Sequence, residues 1–219
     1  MFWRWTPRRL SVVGKPRSEQ SERASGPMPS GWSRHGLPAV GHGDTTGPVR
    51  LNTLTLGDYL MHKVNTTKMA EFTWSSPKGK FSGAGKEISE ALGRKPESTD
   101  LNERHPFDVE ILRIPPGKAP YSYHSHSAQW EFYHVISGSG VVRHKDGTTP
   151  IEAGDAFIFK PGEPHQITNY TAEDMILYVV ADNPIGDSWY QPDSNKWGVP
   201  IPERRCVRSE PVDYFDGEE

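Results

Sequence analysis

His124-Ser125-His126-Ser127-Ala128-Gln129-Trp130-Glu131-Phe132-Tyr133-His134-Val135-Ile136 is the stretch whose geometry governs both fold and chemistry. Side chains alternate along an extended strand, so the imidazoles of His124 and His126 project from one face and can converge on a single ion. Glu131 follows His126 by five positions, an odd offset that would put it on the opposite face of one continuous strand. A corner at Ser127 to Trp130 is therefore required, after which Glu131 opens a new strand and can turn inward beside the imidazoles. From there alternation sends Tyr133 and Val135 inward, and Phe132, His134 and Ile136 outward. His134 is accordingly not expected to be a ligand. Apolar Phe132 and Ile136 on an outer face call for cover, by N-terminal strands or by a second subunit, and a homodimer is expected.

Short strand-like runs recur on both sides of this stretch. Phe107, Val109 and Ile111 alternate with Asp108 and Glu110, the period of a half-buried strand, and Pro115-Pro116-Gly117 ends the run in a turn. Gly140 to His144, Ala156 to Phe159, His165 to Thr168 and Met175 to Val180 follow, separated by turn signals such as Asp146-Gly147 and Pro161-Gly162. Many short strands at this spacing point to an all-β sandwich or closed barrel. One short helix is expected from about Lys86 to Leu92, with Ile88, Ala91 and Leu92 on one face and Gly93 placed to end it. His165 and Asn169 fall in the turn and strand succession after Gly154, which can bring a third imidazole from a neighbouring strand.

Composition removes several classes of function. The 219 residues carry 25 Lys and Arg against 28 Asp and Glu, a net charge of −3, so no general basic field exists to hold a nucleic acid. The longest apolar run, Met175 to Ala181, is far short of the roughly 20 residues of a membrane-spanning helix. A single cysteine, Cys206, excludes an intrachain disulfide and a thiolate-rich cluster, so a metal site must use imidazole and carboxylate. Neither a nucleophile elbow, a phosphate-binding glycine loop nor a dinucleotide fingerprint is present. Neither nucleic acid nor membrane is expected as a partner.

The ends read as extensions. Residues 1–47 begin with five basic and no acidic side chains up to Ser18 and continue rich in Ser, Gly and Pro, with little to bury, so they are expected to be disordered. A single barrel domain is expected over 48–202, its core at 107–181, and an acidic tail over 203–219. A cytoplasmic location is expected, with organellar targeting by the Arg-rich N-terminus as the alternative.

Gly117, six residues, His124-Ser125-His126, four residues, Glu131, six residues and Gly138 resemble the first motif of the cupin superfamily. Gly154, five residues, Lys160-Pro161-Gly162, two residues, His165, three residues and Asn169 resemble the second. Two departures stand in turns: six rather than five residues precede His124, and Lys160 occupies the place of the motif's usual proline. The resemblance covers about residues 107–181. Flanking stretches, Ser76 to Phe81 and Pro192 to Trp197, are similar to those of single-domain bacterial cupins of the conserved-barrel type, a group that names no reaction.

The resemblance implies a double-stranded β-helix, or jelly-roll, barrel with few short helices and one divalent transition metal held by His124, His126, Glu131 and His165. Three imidazoles and a carboxylate suit Fe, Mn, Ni, Co or Zn and disfavour Ca and Mg. The function implied is a metal-dependent enzyme of dioxygenase, decarboxylase or isomerase type on a small oxygen-rich molecule. A binding module that holds a small ligand or sugar without turnover is the alternative. Tyr133 is a candidate for the cavity wall, and Asn169 for a role beside the site or in its turn. Gln129 and Lys196 could add polarity near the mouth.

Overall fold

The computed structural model describes residues 61–96, 98–200 and 204–219. The expected extension over 1–47, with His35 and His42, lies outside these residues, as does 48–60.

Thirteen strands make the described part of the chain. They are β1 (Phe72–Ser75), β2 (Ser82–Glu87), β3 (Phe107–Ile114), β4 (Ser125–His126), β5 (Glu131–Ser137), β6 (Ser139–His144) and β7 (Gly147–Glu152), then β8 (Ala156–Phe159), β9 (His165–Thr168), β10 (Met175–Asp182), β11 (Trp189–Gln191), β12 (Lys196–Val199) and β13 (Arg205–Val207). A six-stranded sheet runs β1-β2-β3-β10-β5-β8, a four-stranded sheet β13-β12-β11-β4, and a three-stranded sheet β7-β6-β9. Every ladder is antiparallel, which gives the expected all-β jelly-roll barrel. None of the described helices is long and apolar enough to cross a membrane.

The core lies between the sheets. Leu112 and Ile114 of β3, Tyr133 and Val135 of β5, and Leu177 and Val179 of β10 pack with Val142, Ile151, Ile167 and Met175. Burial of side chains this size stabilises the fold by about 1.5–3 kcal/mol each. Along β5 the alternation is as expected: Glu131, Tyr133 and Val135 are buried, and Phe132, His134 and Ile136 are exposed. Gly138 ends that strand with φ +80°, and a Cβ there would stand 2.6 Å from the Asp174 carbonyl oxygen, so glycine is needed on two counts.

Four expectations need correction. On β3 the buried face is the acidic one. Asp108, Glu110, Leu112 and Ile114 point inward, while Phe107 is exposed and Val109 and Ile111 are half-buried. The alternation is right but its polarity is reversed, because buried Arg94 supplies a partner for Asp108 at 2.5 Å and so lets an acid face the interior. The helix is shorter than expected: α1 (Ile88–Ala91) begins after Lys86 and Glu87, which belong to β2, and its buried residue is Ser89, whose hydroxyl accepts from the Val109 N–H. Gly93, at φ +103°, follows it as expected. The other helix, α2 (Leu101–Arg104), starts at an Asp100 cap that accepts from the Asn102 N–H. In the β6–β7 hairpin the two loop residues are Lys145 and Asp146, and Gly147 already belongs to β7. Finally, the expected tail over 203–219 does not start as a tail, since β13 pairs with β12 through Cys206 and its neighbours; 208–219 are exposed.

Candidate metal centre

β4, β5 and β9 carry His126, Glu131 and His165, and His124 stands just before β4 in a bridge to His165. The corner after β4 is built by two aspartates: Asp187 Oδ1 accepts from the N–H groups of Ala128 and Gln129 and from the Ser127 hydroxyl, and Asp182 Oδ1 accepts from the Trp130 N–H. That corner turns Glu131 inward at the start of β5. His165 is brought to His124 by the main chain, because each N–H donates to the other's carbonyl, at 3.1 and 2.8 Å. The Gly162 N–H also donates to the His126 carbonyl, so the second motif's turn is tied to the first motif.

All four side chains are buried, each less than a tenth exposed. One nitrogen of each imidazole is committed away from the centre. His124 Nδ1 donates to the Ser122 carbonyl at 2.8 Å, His165 Nδ1 to the Glu163 carbonyl at 3.2 Å, and His126 Nδ1 to Asp187 Oδ2 at 2.6 Å. Carbonyls and carboxylates only accept, so each ring carries a proton on Nδ1 and, in its neutral form, turns an Nε2 lone pair inward. His165 Nε2 lies 2.9 Å from Glu131 Oε2 and His126 Nε2 lies 3.6 Å from Glu131 Oε1. At the closer of these pairs, neither His165 Nε2 nor Glu131 Oε2 makes a hydrogen bond. Lone pairs of imidazole and carboxylate facing one another in a dry interior are repulsive without a cation between them.

The donor set fits a transition metal. His124, Glu131 and His165 each offer a ligand atom within 4.8 Å of the others. Two donors on one ion at about 2.1 Å each stand at most about 4.2 Å apart, so the trio would draw closer on binding an ion. His126 lies outside that tightest trio and meets the carboxylate at its other oxygen. Burial, with the neighbouring His165 and His126, lowers the His124 pKa to about 3, which keeps that ring neutral. For Glu131, burial raises the pKa, but positive charge on His126, His165 and His124 in their protonated forms, with the contact from His165, outweighs it and draws the carboxyl well below its ordinary value.

Asp187 was not legible as a site residue. Burial pushes its carboxyl up, yet the bonds from His126 and from the Ala128 and Gln129 N–H groups hold it below the usual range. It lies 61 positions from His126, on the connection after β10, and no motif spacing marks it.

Tyr133 is buried, hydrogen-bonds Glu131, and lines a small pocket with His124, His165, Leu112 and Tyr121. Asn169 belongs to the turn instead: Nδ2 donates to the Ile114 and Glu173 carbonyls, and Oδ1 accepts from the Thr171 N–H and hydroxyl. No polar atom of its side chain is left for a ligand. Gln129 is buried with Nε2 on the Asp182 carbonyl, and Lys196 stands on β12 opposite Gln191. His134 is exposed, and His144 meets the Thr149 hydroxyl in its hairpin. His62 is exposed and His105 takes φ +57° before β3.

Comparison with known proteins agrees with this architecture. Residues 110–181 match the model of the cupin domain family. An oxalate-binding protein of Thermotoga maritima is 33% identical over 69 residues, 32% of this chain and 56% of that protein, so the chain spans about half its length. Among solved structures, a proposed sugar phosphate isomerase from Acidithiobacillus ferrooxidans superposes with a TM-score of 0.58 at 20% identity, over 68% of this chain and 92% of the other. A cupin-superfamily sugar phosphate isomerase from Silicibacter pomeroyi gives 0.56 at 20% identity, over 69% and 97%. At that identity these two likenesses speak for the fold alone. The family match over 110–181, with the antiparallel barrel around both motifs, supports a cupin domain over those residues.

Proposed function

We propose that this chain is a metal-dependent enzyme acting on a small oxygen-rich molecule, with His124, His126, Glu131 and His165 holding one divalent transition ion. The observation that carries this reading is the meeting of Nε2 lone pairs and the Glu131 carboxylate, with every Nδ1 already engaged elsewhere. A bound ion would supply Lewis-acid polarisation of a carboxylate, enolate or hydroxyl-carbonyl group. The chain's own part is to fix the rings, turn each Nε2 toward the centre and exclude water. His165 stacks on Phe159 at 3.9 Å between centroids, Tyr133 stacks on Phe157, and Tyr121 meets His124 edge-on. Of these rings Tyr121, His124, Tyr133 and His165 line the pocket, and Phe157 and Phe159 back Tyr133 and His165.

A second reading, capture of a small acid without turnover, is favoured by the relative named as an oxalate-binding protein. One experiment separates them. The full chain is loaded in turn with Fe(II), Mn(II), Co(II), Ni(II) and Zn(II), the bound metal is counted by elemental analysis, and each form is tested with small acids, phenols and sugar phosphates. Oxygen uptake, carbon dioxide release or isomerisation supports the enzyme. Tight binding with none of these supports capture, and no retained metal in any form overturns both.

A further inference from the structure

The connection from β3 to β4 is restrained far more than a surface loop ordinarily is. Four consecutive residues of it are tied to four different strands. The Ala119 carbonyl accepts from the Ser82 N–H of β2, the Pro120 carbonyl from Trp74 Nε1 of β1, the Tyr121 carbonyl from Gln166 Nε2 of β9, and the Ser122 hydroxyl from Gln191 Nε2 of β11. The Ser122 carbonyl also accepts from His124 Nδ1, so this segment is joined directly to the centre. Pro120, Tyr121 and Ser122 line the pocket beside His124 and His165.

Ring packing holds Tyr121 as well. Its ring stacks on Trp74 at 5.5 Å between centroids and 13° between planes, Trp74 stacks on Phe72 at 5.2 Å, and Tyr121 meets His124 edge-on at 6.5 Å. The stack lies flat on β2 because glycines stand beneath it: a Cβ on Gly83 would overlap the Trp74 ring, and one on Gly85 would stand 2.8 Å from the Phe72 ring. Glycine inside a strand marks such a close approach. Strand β1 and the glycines of β2 thus fix one aromatic ring at a set distance from an imidazole of the centre. Leu112, Tyr133 and Ile167, which also line the pocket, belong to the buried core, whereas Tyr121 is half-buried and stands on the pocket's outward side.

We propose that the Tyr121 ring is the specificity-determining wall of this pocket. A ligand placed at the imidazole–carboxylate cluster must fit between the cluster and a ring pinned by Trp74 and by its own backbone, so short carboxylates are accepted and longer ones turned away. This rests on the metal-dependent reading and deepens it by naming the size class of ligand. A packed apolar wall discriminates by roughly 10- to 200-fold for a methylene too many or too few.

The test uses the full chain loaded with Mn(II), its metal counted by elemental analysis, and calorimetric titration with oxalate, malonate and succinate. The parent should bind oxalate at least about tenfold more tightly than succinate, with malonate between. Tyr121→Ala should keep its metal and narrow that ratio to within about threefold by gaining succinate, while Tyr121→Phe, which keeps the ring, should hold the parent's ratio. Gly83→Ala displaces Trp74 without altering Tyr121 itself and should narrow the ratio partway. A ring with only a structural role would lower the melting temperature and leave the ratio alone. Tyr121→Ala with the parent's ratio and full metal content overturns the inference while leaving the metal reading intact, and so does a metal-loaded parent that binds oxalate and succinate equally or binds neither. Failure of the parent to hold metal shows in elemental analysis instead and removes the reading beneath it. Should Tyr121→Ala not fold, Tyr121→Leu and Gly83→Ala decide on the same ratio.

Discussion

His165 and Asn169 stand at the two ends of β9, four residues apart, both buried and both in the second motif. At Asn169 the side chain makes four hydrogen bonds with the surrounding turn. At His165 one nitrogen is satisfied and the other faces a carboxylate 2.9 Å away without a hydrogen bond. Burial with every polar atom satisfied marks a structural device, and burial with an orphaned lone pair marks a site built for something else. The contrast divides stability from binding, and substitutions can press on each side separately.

The largest effect is expected at the carboxylate. Glu131→Gln keeps the shape but removes the negative charge, and metal content should fall from near one equivalent to none, an affinity loss beyond the roughly 100-fold upper range for supporting partners. Retained metal on elemental analysis after dialysis would erase the distinction between the two ends of β9. Asn169→Ala should do the reverse, with a stability loss of about 2–4 kcal/mol in urea unfolding from lost and orphaned hydrogen bonds and an unchanged metal count. Asp187→Asn weakens the hold on His126 Nδ1 and should lower metal affinity roughly 10- to 100-fold in a competition titration, with the fold intact.

Acid sharpens the same contrast. In the metal-free chain His124 titrates at about 3, against about 6.5 for a free ring, so the unfolded chain takes up the proton first. The stability contributed by the neutral ring is complete above about 6.5 and declines as pH falls toward the folded value, by about 1.4 kcal/mol per unit from this group. Thermal melts from pH 8 to 4 should show that slope in the parent and lose it in His124→Gln. Smallest of all, exposed His134→Ala should change stability by no more than about 0.5 kcal/mol and leave metal content alone, as for an ordinary surface position.

Much of this was written in local pattern. The five-residue offset from His126 to Glu131 demanded a corner, and the corner is there; alternation along β5 placed Tyr133 inward and His134 outward because one face of that strand is buried core. What local pattern could not supply was long-range compensation. The polarity of β3 depends on Arg94, fourteen residues upstream of Asp108, and the clamp on the corner depends on Asp187, about sixty residues downstream. Neither partner is periodic with the element it serves. An alternating acid and aliphatic strand reads the same whichever face is inside, so only the buried cation breaks the tie. Asn169 shows the opposite problem: a motif position carries its residue type without saying whether the side chain serves a ligand or a turn.

The reciprocal main-chain bonds between His124 and His165 have a practical consequence. They rivet the two halves of the centre directly to each other, so the spacing of those rings is independent of the path the polypeptide takes between them. The exposed tip at Lys145 and Asp146 lies on that detour. It is thus a natural place to splice in a tag, a reporter peptide or a whole guest domain without disturbing the centre.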